Sequence, residues 1–347
     1  MKNAVEVDSL RKVYRGKPVD FQAAWSEGLL HTLKNRLEGE QMVALDSVEL
    51  EVRAGELFGV IGSNGAGKTT LLKLLACLLY PDGGTARVNG FDIKKQRTNA
   101  RRSVVAVKAQ GWLGLLWQLT GRQNLIFQAM MCGLSAGEAA ERVDQVISTL
   151  ELSGKAGDYS WNWSAGELQK FNLAMSMVAR TPVVLFDEPT AHLDPRVAGQ
   201  VRRLMKECLN EVNGQTVIMS SHYLDEADLL CDRVAIIEKG KIIACDAPTI
   251  LKQRYCKNEI HEVWVENFSA DLIPALKKSA GIQGILEHYE DPAAGKARLR
   301  IYWMETGPRM PRLLSRLEAT GVKARKIALA PPSLDDVYFH LTKGKIT

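Results

Sequence analysis

The chain has 347 residues, of which 46% are hydrophobic and 24% charged, and its formal net charge is +5. A chain of this length usually forms more than one core, so we expect two domains. No apolar run approaches the roughly 18–20 residues of a membrane-spanning helix, and the first residues lack the apolar stretch of a secretory signal. The six cysteines form no C-x-x-C pair, which favours buried, reduced thiols over disulfides or a metal site. We therefore expect a cytoplasmic protein.

The first elements predicted along the chain are two strands, over residues 4–14 and 43–53, where apolar residues alternate with polar ones. Between them lies an insert, roughly 15–41, with apolar residues at a spacing typical of an amphipathic helix. These are Phe21, Trp25, Leu29, Leu33 and Leu37. The helix would either pack on its own domain or lie against a membrane partner or the lipid headgroups.

A glycine-rich motif follows the next apolar strand, 57–61, and precedes an apolar helix that begins near Thr70. It fits G-x-x-x-x-G-K-[ST] at every fixed position. Glycines allow the backbone to approach a phosphate closely, and a helix N-terminus directs N–H groups and a positive dipole end at it. A turn that binds nothing is the simpler alternative, but the flanking elements favour a phosphate loop. Its residues are Gly62, Ser63, Asn64, Gly65, Ala66, Gly67, Lys68 and Thr69.

Helical patterns cover residues 122–150, with a break at 132–137, and 168–180, which ends before Pro182. The continuous apolar runs 183–186 and 217–219 are typical of buried parallel strands.

Two carboxylates, Asp187 and Glu188, directly follow the strand at 183–186. A rigidly held Asp187 could bind Mg²⁺, which prefers oxygen ligands. Glu188 could orient a water molecule or accept its proton. An acidic pair of this kind can also cap a helix, but the phosphate loop upstream favours a phosphoryl-transfer site.

Beyond about residue 257 the pattern changes to strand, helix, strand, strand, helix, strand, the order of a ferredoxin-like fold. The predicted elements are 262–266, 271–279, 285–289, 297–303, 311–319 and 322–329, followed by a last helix at 334–341. Residues 296–347 carry eleven Lys/Arg and four Asp/Glu, a local balance of +7. This surface is either a solvated basic face or a contact for anionic lipid or an acidic partner.

Three further motifs lie in a fixed order around the carboxylates: Trp163–Glu167, Ala191–Asp194 and Ser220–His222. Together with the phosphate loop, they resemble the nucleotide-binding subunit of ABC transporters over about residues 4–247. The resemblance implies an α/β P-loop NTPase fold, with an antiparallel β subdomain and a helical subdomain at about 110–180. It also implies ATP and Mg²⁺ as cofactors.

The resemblance implies a role for each matching residue. Tyr14 would stack on adenine, and the loop through Thr70 would bind the phosphates. Thr69, Gln110 and Asp187 would contact Mg²⁺, while Lys68, Glu188 and His222 would act on the γ-phosphate. Ser164 and Gly166 would close over ATP held by a second subunit, toward which Asp194 would also reach. The usual L-S-G-G-Q reads W-S-A-G-E here, so Ala165 adds a methyl group and Glu167 a charge near the phosphate.

The tail Ser333–Thr342 resembles the closing segment of export-type bacterial subunits, which work with separate six-helix membrane proteins. We therefore expect an ABC ATP-binding domain at 1–256 and an accessory α+β domain at 257–347, which could stabilise a dimer. The predicted protein is an ATPase that drives export. Its partners would be a transmembrane permease, which holds it at the inner face of the cell membrane, and a second ATP-binding subunit, identical or paralogous.

Two alternatives remain at the level of sequence. A soluble ABC ATPase could act on ribosomes or nucleic acid, but this chain carries neither a second cassette nor a long coiled-coil insert, so no nucleic-acid partner is expected. A binding module with inert nucleotide sites is disfavoured by the intact Lys68, Asp187, Glu188 and His222.

Overall fold

A computed structural model describes residues 2–15, 41–108, 116–256, 259–280, 282–291, 295–303 and 309–342. The predicted insert helix and Gln110 lie outside these residues. The chain divides into two units, Met1–Pro248 and Thr249–Thr347, a division earlier in the chain than the predicted boundary between 256 and 257. No helix among the described ranges is long and apolar enough to cross a membrane.

An antiparallel sheet opens the first unit. Its strands are β1 (Asn3–Arg15), β2 (Gln41–Arg53), β4 (Gly83–Val88) and β5 (Phe91–Asp92), in the order β2-β1-β4-β5. The predicted alternation is confirmed, since Val48, Leu50 and Val52 are buried while Glu49 and Glu51 between them are exposed. One face of this sheet therefore packs into the core.

The second sheet of this unit is mostly parallel. It contains β3 (Leu57–Ile61), β6 (Val104–Lys108), β7 (Val183–Asp187), β8 (Thr216–Ser221), β9 (Arg233–Glu238) and β10 (Lys241–Asp246). The order is β10-β9-β3-β8-β7-β6, and only β9–β10 is antiparallel. Every residue of β3 and β8 is buried, as expected of central strands covered on both faces. The carboxyl ends of β3, β7 and β8 meet at one edge, where ligands of such sheets bind.

The helices of the first unit connect these strands. They are α1 (Lys68–Leu75), α2 (Arg97–Arg102), α3 (Gly121–Met131), α4 (Ala136–Thr149), α5 (Ala165–Ala179), α6 (Pro195–Leu204, continued by π-helical turns at Met205–Val212) and α7 (Leu224–Leu230). The predicted break at 132–137 separates α3 from α4. Helix α5 begins earlier than the predicted residue 168, because Ser164 and Glu167 form a capping box there.

Helix α8 (Pro248–Tyr255) starts at the last residue of the first unit and continues into the second unit, which then has the predicted ferredoxin-like order. Its elements are β11 (Ile260–Glu266), α9 (Ile273–Ala280), β12 (Ile282–Asp291), β13 (Lys296–Trp303), α10 (Arg309–Ala319), β14 (Lys323–Ala330) and α11 (Leu334–Leu341). The sheet order is β12-β13-β11-β14, and every pair is antiparallel. Its core includes Val263, Leu299, Ile301, Trp303, Leu313 and Leu317.

The tail motif holds α11 against this sheet through the buried carboxylate of Asp336. Arg300 on β13 donates to both Asp336 oxygens, at 3.0 and 2.8 Å, and to Glu262 at 2.7 Å. Tyr302 also donates its hydroxyl to Asp336. The Ser333 backbone N–H donates to Asp336 at 2.6 Å, which closes the capping box that starts α11. One aspartate thus satisfies a helix end and a mostly buried arginine.

We predict that Asp336→Ala destabilises the protein, because it leaves the Arg300 guanidinium buried without its main partner. Breaking such a pair from one side typically costs about 3–5 kcal/mol of unfolding free energy. Denaturant unfolding of the full chain measures the change. The exposed Glu318 of α10 provides the control, since Glu318→Ala should change stability by less than about 0.5 kcal/mol. Equal unfolding curves for the two variants would contradict this role of Asp336.

Candidate functional site

The glycine-rich loop lies between the end of β3 and the start of α1, at the carboxyl edge of the parallel sheet. Gly67 caps α1 with φ of 113°, a backbone conformation that residues with a side chain rarely adopt. A Cβ atom on Gly67 would lie 2.5 Å from the carbonyl oxygen of Ala44, and one on Gly62 would lie 2.2 Å from that of Ile237. Close backbone contacts therefore require glycine at both positions.

Lys68 curls over this loop. Its ammonium donates hydrogen bonds to the carbonyl oxygens of Gly62 at 2.8 Å and Ser63 at 3.0 Å, and lies 3.9 Å from a Glu188 oxygen. The side chain is 5% exposed. Burial lowers the pKa of Lys68, and the charges of Glu188 and Asp187 oppose that shift. The lysine thus places a positive charge at the mouth of the loop.

Asp187 ends β7 beside the first turn of α1. One of its oxygens accepts hydrogen bonds from the Thr69 hydroxyl at 3.0 Å and from the Ser220 hydroxyl at 2.7 Å. These are oxygen donors of the kind that Mg²⁺ prefers. Within the described ranges no group of three or more His, Cys, Asp and Glu residues could hold a metal ion. The Thr69 and Asp187 oxygens could therefore supply part of the coordination shell of Mg²⁺.

Glu188 occupies the turn after β7 with φ of 54°, in the left-handed region. Its backbone N–H donates to Ser220 Oγ at 3.1 Å. Its carboxylate lies 3.2 Å from Nδ1 of His222, a buried nitrogen with no hydrogen-bond partner among the described residues. Strained backbone of this kind is maintained where the surroundings fix it, often at active sites. The turn directs the Glu188 carboxylate into the space between Lys68 and His222.

Tyr14 of β1 lies beside the same helix start. Its hydroxyl is 3.4 Å from Thr70 Oγ1, and the ammonium of Lys12 is 5.8 Å from its ring centroid. The Tyr14 hydroxyl thus lies next to the first turn of α1, directly after the glycine-rich loop.

The residues of the W-S-A-G-E motif form a separate group. The Ser164 hydroxyl donates to Glu167 at 2.9 Å and accepts from the Glu167 backbone N–H at 3.3 Å. Lys155 lies 3.5 Å from the other Glu167 oxygen. A Cβ atom on Gly166 would lie 2.8 Å from Val197 of α6, so close packing against α6 favours glycine there. Ser164 thus has its hydroxyl engaged within its own helix end.

Asp194 caps α6, where its carboxylate accepts from the backbone N–H groups of Arg196 at 3.1 Å and Val197 at 3.0 Å. No hydrogen bond or ion pair between described residues joins Ser164, Gly166 or Asp194 to the cluster around Lys68. The sequence motifs therefore divide into two groups within one chain.

One residue of the cluster received no role from the sequence. Ser220 accepts from the backbone of Glu188 and donates to Asp187, so it fixes both carboxylate-bearing residues relative to β8. The available signal was its position at the end of a buried strand, directly before a second serine and His222.

Comparison with known proteins gives a consistent result. A family model described as ABC transporter matches residues 45–191. The daunorubicin/doxorubicin resistance ATP-binding protein DrrA of Streptomyces peucetius is 34% identical over 304 residues, which cover 86% of this chain and 88% of the relative. The Nod factor export ATP-binding protein I of Burkholderia thailandensis is 32% identical over 290 residues, covering 82% and 90%.

Solved structures show the same fold. A dimeric post-hydrolysis state of the ATP-binding cassette MJ0796, bound to ADP and Pi, aligns with a TM-score of 0.57 at 23% identity and covers 70% of this chain and 98% of the other. An ATP-binding subunit of an ABC transporter aligns with a TM-score of 0.58 at 24% identity, covering 73% and 93%. With these relatives matched over most of their length and the phosphate-loop cluster assembled, the chain belongs to the ATP-binding subunits of the ABC transporter family.

Proposed function

We propose that this chain is the ATP-hydrolysing subunit of an ABC exporter that works with a separate membrane permease. The observation that carries the ATPase assignment is the cluster of Lys68, Asp187, Glu188 and His222 at the ends of β3, β7 and β8. Export is supported by two relatives whose names refer to drug resistance and to Nod factor export. Neither name supports the alternative of an ATPase that acts on ribosomes or nucleic acid.

The residues of the cluster divide the work of phosphoryl transfer to water. The loop amides and the Lys68 ammonium bind the β- and γ-phosphates, exchanging the loop carbonyls that Lys68 now contacts for phosphate oxygens. Thr69 and Asp187 would hold Mg²⁺, which neutralises phosphate charge when bound. Glu188 orients the attacking water and accepts its proton, and His222 donates a hydrogen bond to the γ-phosphate. The Tyr14 ring stacks on the adenine base.

A second copy, or a paralogue, would complete each site. No hydrogen bond or ion pair between described residues joins Ser164, Gly166 or Asp194 to the cluster in the same chain. Ser164 caps the N-terminus of α5. A helix N-terminus attracts anions, so Ser164 and Gly166 of one subunit suit the γ-phosphate held by the other. The phosphate charge then joins two subunits, and hydrolysis releases them.

The permease would contact an exposed apolar patch around α3. Phe127, Met130 and Met131 share one face of this helix, and Trp117 precedes it. Tyr159 pairs with Thr120 at the start of α3 and stacks on Trp161 at 4.5 Å between ring centroids. Exposed apolar side chains on one helix and on the segments next to its start are typical of protein interfaces. The patch consists of Leu116, Trp117, Phe127, Met130, Met131, Tyr159 and Trp161.

Lys68 should be required for nucleotide binding. Lys68→Ala removes the positive charge from the mouth of the loop, so the affinity for ATP should fall about tenfold or more. Titration with a fluorescent ATP analogue measures it. The exposed Lys95, outside the site, provides the control, and Lys95→Ala should bind as the wild type does. Wild-type affinity in Lys68→Ala would contradict the assignment of the loop.

Loss of the Glu188 carboxylate should trap the closed dimer. Glu188→Gln removes the proton acceptor but keeps the shape of the side chain, so hydrolysis should slow by about 10²–10⁴-fold. The ATP-bound pair should therefore persist, and light scattering in saturating Mg-ATP should report a dimer. The double variant Lys68→Ala/Glu188→Gln, which binds ATP poorly, should remain monomeric. A monomeric Glu188→Gln chain in the same buffer would argue against the shared site.

The apolar patch around α3 should be required for binding to the permease. Trp117→Asp combined with Met131→Asp places charges in the apolar patch, so less of the chain should sediment with membrane vesicles from its own cells. The ATPase rate of the purified chain should stay within about twofold, because both residues lie outside the cluster. Leu229→Asp, at an equally exposed leucine of α7, is the control and should bind membranes normally. Unchanged sedimentation of the double variant would remove the patch from the interface.

A further inference from the structure

Glu226 of α7 is a buried carboxylate that the scheme above leaves without a role. It is 2% exposed, and its two oxygens accept hydrogen bonds from hydroxyl groups on two separate segments of the chain. Thr190 Oγ1 donates to Oε1 at 2.6 Å, and Ser221 Oγ donates to Oε2 at 2.8 Å. Burying a carboxylate is costly unless such donors satisfy it. The two hydrogen bonds therefore form a stable bridge from Thr190 through Glu226 to Ser221.

The Thr190 end of the bridge belongs to the turn that separates Glu188 from Asp194. The backbone N–H of Ala191 donates to the carbonyl of Glu188, and that of Leu193 donates to the carbonyl of Thr190, each at 3.2 Å. The Thr190 side chain is buried. The hydrogen bond that holds this hydroxyl therefore also fixes the path of the chain from Glu188 to Asp194.

The Ser221 end of the bridge is the last residue of β8, directly before the turn that carries His222. Ser221 Oγ accepts from the backbone N–H of Tyr223 at 3.0 Å while it donates to Glu226, so it holds the chain on both sides of the histidine. The ring of Tyr223 lies 4.0 Å from that of His222, between centroids. The direction of the imidazole therefore depends on this hydroxyl.

A cation on the Asp194 side faces the same carboxylate. Arg202 of α6 lies 4.0 Å from Glu226 Oε1, and α6 begins at the cap made by Asp194. Two connections, one through Thr190 and one through Arg202, thus link Glu226 to the segment around Asp194.

We infer that Glu226 is a positioning residue that joins the turn of His222 to the turn of Asp194. Because Asp194 lies on the segment that reaches the second subunit in the proposed dimer, the bridge makes the alignment of His222 with Glu188 depend on subunit contact. The inference rests on the proposed function. It assigns Glu226 an effect on the rate of hydrolysis with no contact to the nucleotide.

Glu226→Gln tests this role with little change in side-chain shape. The amide nitrogen can donate but cannot accept a hydrogen bond, so one of the two hydroxyl groups loses the acceptor for its proton and must reorient. The kcat of ATP hydrolysis should fall about tenfold, while KM and the affinity for a fluorescent ATP analogue stay within about twofold. Thr190→Val removes the other partner of one bridge and should give a similar loss. The double variant should be no slower than the slower single one, because both act in one unit.

Glu56 offers a matched control. It is a buried carboxylate, 6% exposed, that accepts from the backbone N–H of Arg53 at 2.8 Å and pairs with Arg233 at 3.3 Å. It precedes β3, at the opposite end of that strand from the phosphate loop. Glu56→Gln should lower the thermal midpoint about as much as Glu226→Gln does, yet keep kcat within about twofold.

Three results would overturn the inference. A wild-type kcat in Glu226→Gln, an equal kcat loss in Glu56→Gln, or additive losses in the double variant would each show that Glu226 only stabilises the fold. These results leave the proposed function intact, provided that the wild type hydrolyses ATP and Lys68→Ala does not. A wild-type chain without ATPase activity would overturn the proposed function and this inference with it.

Discussion

The parallel register of β3, β8 and β7 is the constraint on which the site depends. Ile61 pairs with Ser221, and Ser220 pairs with Asp187, so the ends of three strands distant in sequence lie side by side. Thr69 and Ser220 then share one Asp187 oxygen, which fixes the start of α1 to both neighbouring strands. The loop that would hold phosphate and the carboxylates that would act on it are thereby placed by buried apolar strands rather than by each other.

Much of this arrangement could be predicted because its signals are local. The phosphate loop needs particular glycines, and the strands before it and before Asp187 are continuous apolar runs. The ferredoxin-like unit was also predicted, since its strands alternate and turns separate them. In contrast, β9 and β10 and the helices after Asp194 were not predicted. The pairing of β9 with β3 is a long-range contact, which periodicity does not report. The same limit applies to Glu226, whose charge suggests exposure until Thr190 and Ser221 are placed beside it.

Glu167 stands where the usual L-S-G-G-Q motif has glutamine. The geometry of its helix end explains this difference, rather than chemistry at a phosphate. The sequence indicated an added charge near the γ-phosphate. In the structure the Glu167 carboxylate accepts from the Ser164 backbone N–H at 2.8 Å and closes a capping box, as glutamine can. Lys155 lies beside it and offsets part of the charge. Close packing against Val197 likewise favours glycine at position 166. The motif therefore determines the structure of its own helix end, whether or not a second subunit is bound.

In the proposed dimer two chains share each nucleotide, with the phosphate loop of one facing the helix end of the other. A crystal structure of Glu188→Gln with Mg-ATP would show this arrangement. The γ-phosphate should lie between Lys68 of one copy and Ser164 of the other. A structure in which Trp163–Glu167 faces solvent, away from the nucleotide of any neighbouring copy, would contradict it.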